Sequence, residues 1–125
     1  MDTLKIKKIF EDTKKRVQGI RDILLVTDDG FPIVTTLDTG DEESLSTAVG
    51  AIISDAGQRG VKELSLGEIN LSVVIGTDGY FVTKRLQEGA IIMTIVDNSD
   101  IAASLGLCLF RLRRMVPEVM QAYES

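Results

Sequence analysis

Residues 68–97, EINLSVVIGTDGYFVTKRLQEGAIIMTIVD, read as three consecutive strands joined by tight turns. Ile69, Leu71, Val73 and Ile75 recur at every second position with Asn70 and Ser72 between them, so one face of the first strand is apolar over nearly its whole length. Thr77-Asp78-Gly79 has turn chemistry, since Gly tolerates positive φ and Asp can bond its own backbone. The second strand runs from about Tyr80 to Leu86, and Gln87-Glu88-Gly89 turns the chain again. Ala90 to Val96 is then a near-continuous apolar strand of the kind buried on both faces. In such a meander the third strand is central and the first, which carries no edge protection, is open to a partner.

Upstream, Leu4, Ile6, Ile9, Phe10 and Val17 alternate with lysines from about Thr3 to Val17, the one-sided pattern of an amphipathic helix that Gly19 ends. Ile20 to Thr27 contains the apolar run Ile23-Leu24-Leu25-Val26, followed by the hairpin-grade turn Asp28-Asp29-Gly30. Phe31 to Leu37 is the return strand, and Pro32, which cannot donate to a ladder, places it at a sheet edge or sits at the strand's start. Asp38, Asp41, Glu42 and Glu43 precede or open a second helix, from about Glu42 to Gln58, where negative charge suits the positive end of the dipole. Its small residues Ser46, Ala48, Gly50, Ala51 and Ser54 permit close approach of another backbone, and its apolar set is wider than one sheet face requires. Gly57 and Gly60 close it. A last helix begins after Asp97-Asn98-Ser99 and carries Ile101, Leu105, Cys108, Leu109, Leu112, Met115 and Val116 on one stripe. Arg111, Arg113 and Arg114 fall near its expected end, where Pro117 kinks or stops it.

The whole chain, residues 1–125, is read as one domain, with 44% hydrophobic and 26% charged residues giving a packed core and arguing against disorder. A net charge of -5 argues against a nucleic-acid surface. No stretch approaches the roughly 20 apolar residues of a membrane span, and the lysine-rich start lacks the apolar run of a secretory signal, so a cytoplasmic protein is expected. The single cysteine, Cys108, reads as a buried small hydrophobe.

Catalysis is poorly supported. The chain has no histidine, which removes the commonest general base and the commonest metal ligand together. Adjacent carboxylates such as Asp28-Asp29 and Glu42-Glu43 are explained by turn and helix-start chemistry, and neither Gly57/Gly60 nor Gly76/Gly79 makes a phosphate loop. No catalytic, metal or cofactor-binding residue is therefore assigned, and the chain is read as a non-enzyme. Lys5, Lys7, Lys8, Lys14, Lys15 and Arg16 make the first helix cationic, by default a solvated face and otherwise a contact for an acidic partner or an anionic membrane surface. Lys84 and Arg85 point to opposite faces of their strand.

In this order of elements, three segments together resemble the roadblock family of dynein-light-chain-like domains, in its small prokaryotic members: residues 19–33 (GIRDILLVTDDGFPI), residues 67–80, and residues 91–97 followed by Leu105-Gly106-Leu107. The resemblance implies an α+β, profilin-like three-layer α/β/α sandwich, with a five-stranded antiparallel sheet of order 2-1-5-4-3. The first and third helices lie on one face of it and the second on the other. It further implies a homodimer joined through the third strands and second helices. Leu45, Ala48, Val49, Ile52, Ile69, Leu71, Val73 and Ile75 are the corresponding interface candidates, with the first four nearest the twofold axis. Family members commonly regulate or scaffold small Ras-like GTPases, so the implied function is a homodimeric platform that binds such a GTPase and adjusts its nucleotide cycle or location. Exposed candidates for that contact are Asp41, Glu43, Asp55, Gln58 and Arg59. The rival reading is a small-molecule sensor holding its ligand between sheet and helix.

Overall fold

The computed structural model describes residues 1–37, 40–87 and 89–125, with side chains at all of these except 40–42 and 44. The elements follow in the order α1 (Thr3–Arg16), β1 (Ile20–Thr27), β2 (Pro32–Thr35), α2 (Gly40–Glu63), β3 (Leu71–Ile75), β4 (Tyr80–Gln87), β5 (Ala90–Val96) and α3 (Ile101–Glu124). One antiparallel sheet orders them β2-β1-β5-β4-β3, as the resemblance implies. β5 lies at its centre between β1 and β4, and every residue of that strand is buried.

Strand alternation divides the core into two unequal clusters. Ile23, Leu25, Ile92 and Val96 point toward α1 and α3, where Ile6, Phe10, Cys108, Leu112, Met115 and Val119 meet them. Leu24, Val26, Ile91, Met93 and Ile95 point to the other face, with Leu37, Val49 and Phe81 partly buried beside them. α1 is fastened to the sheet by a polar clasp as well. Lys14 Nζ lies 3.5 Å from Asp22 Oδ1, which also accepts from the Thr36 hydroxyl at 2.8 Å, and that hydroxyl accepts from Ile23 N–H at 3.0 Å.

Several boundaries depart from the sequence reading, each for a physical reason. Pro117 does not stop α3, which continues to Glu124. The turns beyond the proline bury Val119 and Ala122 in the core, and Ala122 O accepts from Asp2 N–H at 2.9 Å, so tertiary contact outweighs one missing helical bond. Arg111, Arg113 and Arg114 consequently sit in mid-helix and do not meet the dipole's negative end. The cap of α3 is Asp100, whose carboxylate accepts from Ala103 N–H at 3.3 Å, while Asn98 accepts from Asp100 N–H at 2.9 Å.

α2 passes through Gly57 and Gly60 and ends at Glu63. Its terminus is a Schellman turn in which Ser65, at φ 57°, takes the left-handed position usually held by glycine. Leu66 N–H reaches Val61 O at 2.7 Å, and Ser65 N–H reaches Lys62 O at 3.1 Å. Gly79 has no positive φ. It is required because a Cβ there would lie 2.3 Å from Val96 O, where the β3–β4 turn closes over the end of β5. Asp38 and Glu88, read as helix-start and turn residues, lie outside the described residues.

Candidate interaction surface

The two sheet edges differ in chemistry. β2 begins at Pro32, and a register shift in β1 between Leu25 and Val26 disrupts its ladder. Among the described residues β3 pairs only with β4, through an unshifted register from Leu71↔Lys84 to Ile75↔Tyr80, and its outer side carries no strand. Five regular residues without proline, bulge or charged side chain leave a row of backbone donors and acceptors facing outward.

Leu71 and Val73 are half-buried against the α1–α3 cluster, whereas Ile75 is 54% exposed. Ile69 precedes the strand and breaks the expected alternation. A Cβ added to Gly57 would lie 2.6 Å from Ile69 Cδ1 and 2.7 Å from Ser72 Oγ, so Ile69 packs under α2, on the opposite face from Leu71. Gln58 holds it there: its Oε1 accepts from Ile69 N–H at 3.1 Å, while its Nε2 donates to Glu68 at 3.0 Å. Gln58 is thus half-buried and engaged within the chain, contrary to its reading as an exposed partner-binding residue.

Above the sheet, the small residues of α2 serve the chain's own strands. Thr47, Ala51 and Ser54 are buried, and a Cβ on Gly50 would meet Met93 Sδ at 2.9 Å, so the close approach expected of a second molecule is made by β5 at this position. The opposite side of α2 is left over. Leu45 is 68% exposed and Ile52 66% exposed, with Ala48 and Ala56 exposed near them and Val49 half-buried. These positions recur at helical spacing and form an apolar stripe that no described residue covers. Val49 and Phe81 join the same thin cluster, and Val74, exposed on β3, is Phe81's ladder partner, so apolar surface continues from α2 to the open strand. A shallow depression of about 460 Å³ beside it is walled by Val74, Phe81 and Ile95.

Of the polar candidates, Asp55 and Arg59 pair with each other at 3.1 Å and both are exposed at the stripe's edge. Glu43 is half-buried, and the side chain of Asp41 lies outside the described residues. The sequence reading overlooked Leu64 and Leu66, exposed in the connection from α2 to β3, and Val74. Two leucines flanking a serine outside any periodic element were the available signal. Lys84 and Arg85 do diverge: Lys84 Nζ donates to Asn70 Oδ1 at 2.8 Å and Arg85 lies 3.7 Å from Asp28.

The architecture has close counterparts among solved structures. MglB from Myxococcus xanthus superposes with a TM-score of 0.84 at 18% identity, covering 99% of this chain and 98% of that one. An MglB solved in a tetrameric arrangement gives 0.83 at 16% identity, covering 98% and 90%. A Roadblock/LC7 domain from Streptomyces avermitilis gives 0.82 at 14% identity, covering 95% and 98%. Among curated proteins no sequence matches significantly. At these identities the likeness establishes the fold alone, but the family model of the Roadblock/LC7 domain matches residues 9–97, most of the chain, and the chain therefore belongs to the Roadblock/LC7 family.

Proposed function

We propose that this chain is a non-catalytic, cytoplasmic homodimer that binds a small Ras-like GTPase and modulates its nucleotide cycle or location. The observation carrying the reading is the regular, unguarded β3 margin beside an α2 whose large side chains face outward. Two copies joined edge to edge satisfy the outward amides and carbonyls of β3, and their α2 stripes cover Leu45, Val49 and Ile52. That one MglB takes a tetrameric arrangement supports self-association in this fold. Glu43, Asp55 and Arg59 then border the paired helices as the polar rim offered to the GTPase. Any effect on hydrolysis comes from ordering the GTPase's own switch loops.

Light scattering over a dilution series tests the first half, and a monomer at micromolar concentration would defeat it. Titration against a Ras-like GTPase encoded beside the chain's own gene tests the second, with binding expected in one nucleotide state. No binding in either state would refute it.

A second reading has one observation in its favour. A groove of about 320 Å³ lies between α3 and the β3–β4 pair, lined by Leu71, Val82, Leu109, Leu112 and Val116. Its polar groups are few, and Lys84 and Asn70 already bond each other. A sensor for an apolar small molecule would use this groove. Native mass spectrometry of the purified chain, showing a retained ligand that Leu112→Trp expels, would favour it over the GTPase platform.

A further inference from the structure

We infer that the outer surface of the α1–α3 layer docks on an anionic lipid bilayer. These two helices hold nine cations against four carboxylates, although the whole chain has a net charge of -5, so positive charge is segregated to one face of the sheet. Lys14 is the one member of this set engaged in an ion pair among the described residues. Lys8, Lys15 and Arg16 on α1, and Arg113 and Arg114 on α3, are exposed without a carboxylate within 4 Å among the described residues.

Large apolar side chains stand among these cations. Phe110 is 49% exposed, Leu107 is similarly half-exposed one turn away, and Leu4 is exposed on α1. The guanidinium groups of Arg111 and Arg114 lie 5.6 Å and 5.8 Å from the Phe110 ring, so the aromatic tip is ringed by charge. Unpaired cations beside protruding Phe and Leu suit the boundary between anionic headgroups and acyl chains. The arrangement favours lipid over an acidic protein, because the cations are strung along both antiparallel helices on flexible stems with no fixed register of partners.

One corollary rests on the proposed dimer. Joining β3 edges about an axis normal to the sheet puts both α1–α3 layers on the same side, opposite α2. The basic surface is then doubled toward the bilayer, while the paired α2 helices lie on the far side with their polar rim free for a protein.

The test is co-sedimentation of the full chain with vesicles of about 30% phosphatidylserine in phosphatidylcholine, against phosphatidylcholine alone, at about 0.1 M salt. Binding is expected on the anionic vesicles only, falling several-fold at about 0.5 M salt. Arg113→Glu with Arg114→Glu, both exposed, should lower it at least about tenfold with an unchanged circular dichroism spectrum, and Phe110→Ser should weaken it further at equal charge. Equal sedimentation with neutral and anionic vesicles, or charge-reversed protein that binds as wild type, would overturn the inference. Retention on polyglutamate resin without vesicle binding would also overturn it, assigning the face to an acidic protein. Ile52→Glu separates the two readings: a monomer that still binds anionic vesicles, more weakly, supports docking and shows that the dimer only adds valency.

Discussion

The two faces of the sheet are built to different depths. Among the described residues, eighteen buried ones form one cluster toward α1 and α3; toward α2 the corresponding cluster has five, and the helix above it turns Leu45 and Ile52 to solvent. The strands supply ten of the eighteen and all five of the others, so their alternation accounts for part of the contrast. The rest arises from what covers them. Two long helices bring Phe10, Met115 and Val119 onto one face, while a helix of glycine, alanine and serine brings little more than backbone onto the other. A thin cluster under a helix whose large side chains point outward is half of a core, and this is the physical basis for expecting a second copy there.

The largest effect that contrast predicts is at Phe10, fully buried in the thick face. Phe10→Ala should cost about 3–5 kcal/mol in urea unfolding. A loss below about 1 kcal/mol would mean that α1 is an appendage and the contrast is illusory. The thin face should answer in a different measurement. Ile52→Glu should change folding stability by no more than about 0.5 kcal/mol when the chain is diluted to monomer, because the side chain is solvated there. The same substitution should weaken dimerisation by at least about 2 kcal/mol, roughly thirtyfold, in a dilution series followed by light scattering. Unchanged association would move the interface away from α2. A smaller effect of opposite sign is expected at Thr94, which lies fully buried at the centre of β5 with a hydroxyl that has no hydrogen-bond partner among the described residues. Thr94→Val keeps the shape and removes the unmet polar group, so a gain of about 1 kcal/mol should appear in thermal unfolding.

Much of this fold was legible in the sequence where local signals and tertiary needs agree. The alternation from Leu71 to Ile75, the turn glycines and the doubly apolar run Ala90–Val96 each specify one outcome, and all of them place β5 at the centre. Pro32 gave the protected edge for the reason it carries in any sheet. The failures came where a long-range contact outvotes a local preference. Pro117 and Gly57 read as stops, but α3 is held beyond the proline by Val119 and Ala122, and Gly57 is needed to admit Ile69 and Ser72. Neither partner is near in sequence, so no window along the chain reveals it. On the candidate surface, the exposed character of Leu45 and Ile52 followed from an apolar set too wide for one sheet face. The engagement of Gln58 with Ile69 did not, because a glutamine reads the same whether it faces water or a backbone amide.

The subtlest expected effect lies inside the thick face, at Tyr80 and Cys108. The Tyr80 hydroxyl is 2.6 Å from Ser104 Oγ. Burial raises the phenol above its ordinary value of 10.0, an effect the hydrogen bond from Ser104 partly offsets. Burial likewise raises the Cys108 thiol above 9.0, against a smaller lowering by Tyr80. Both groups are neutral when protonated, so the folded chain retains these protons at a pH where the unfolded chain has lost them. With fewer protons on the unfolded state, stability must fall as pH rises. The contribution is complete below about pH 9, begins to decline as the unfolded thiol ionises, and declines more steeply once the unfolded phenol does. Urea midpoints between about pH 8 and 11 should therefore slope downward, and Tyr80→Phe should remove the part of the slope above about 10 while Cys108→Ala removes the part that starts near 9. A slope untouched by either substitution would show that water reaches these groups, and that the α1–α3 face is no drier than the face under α2.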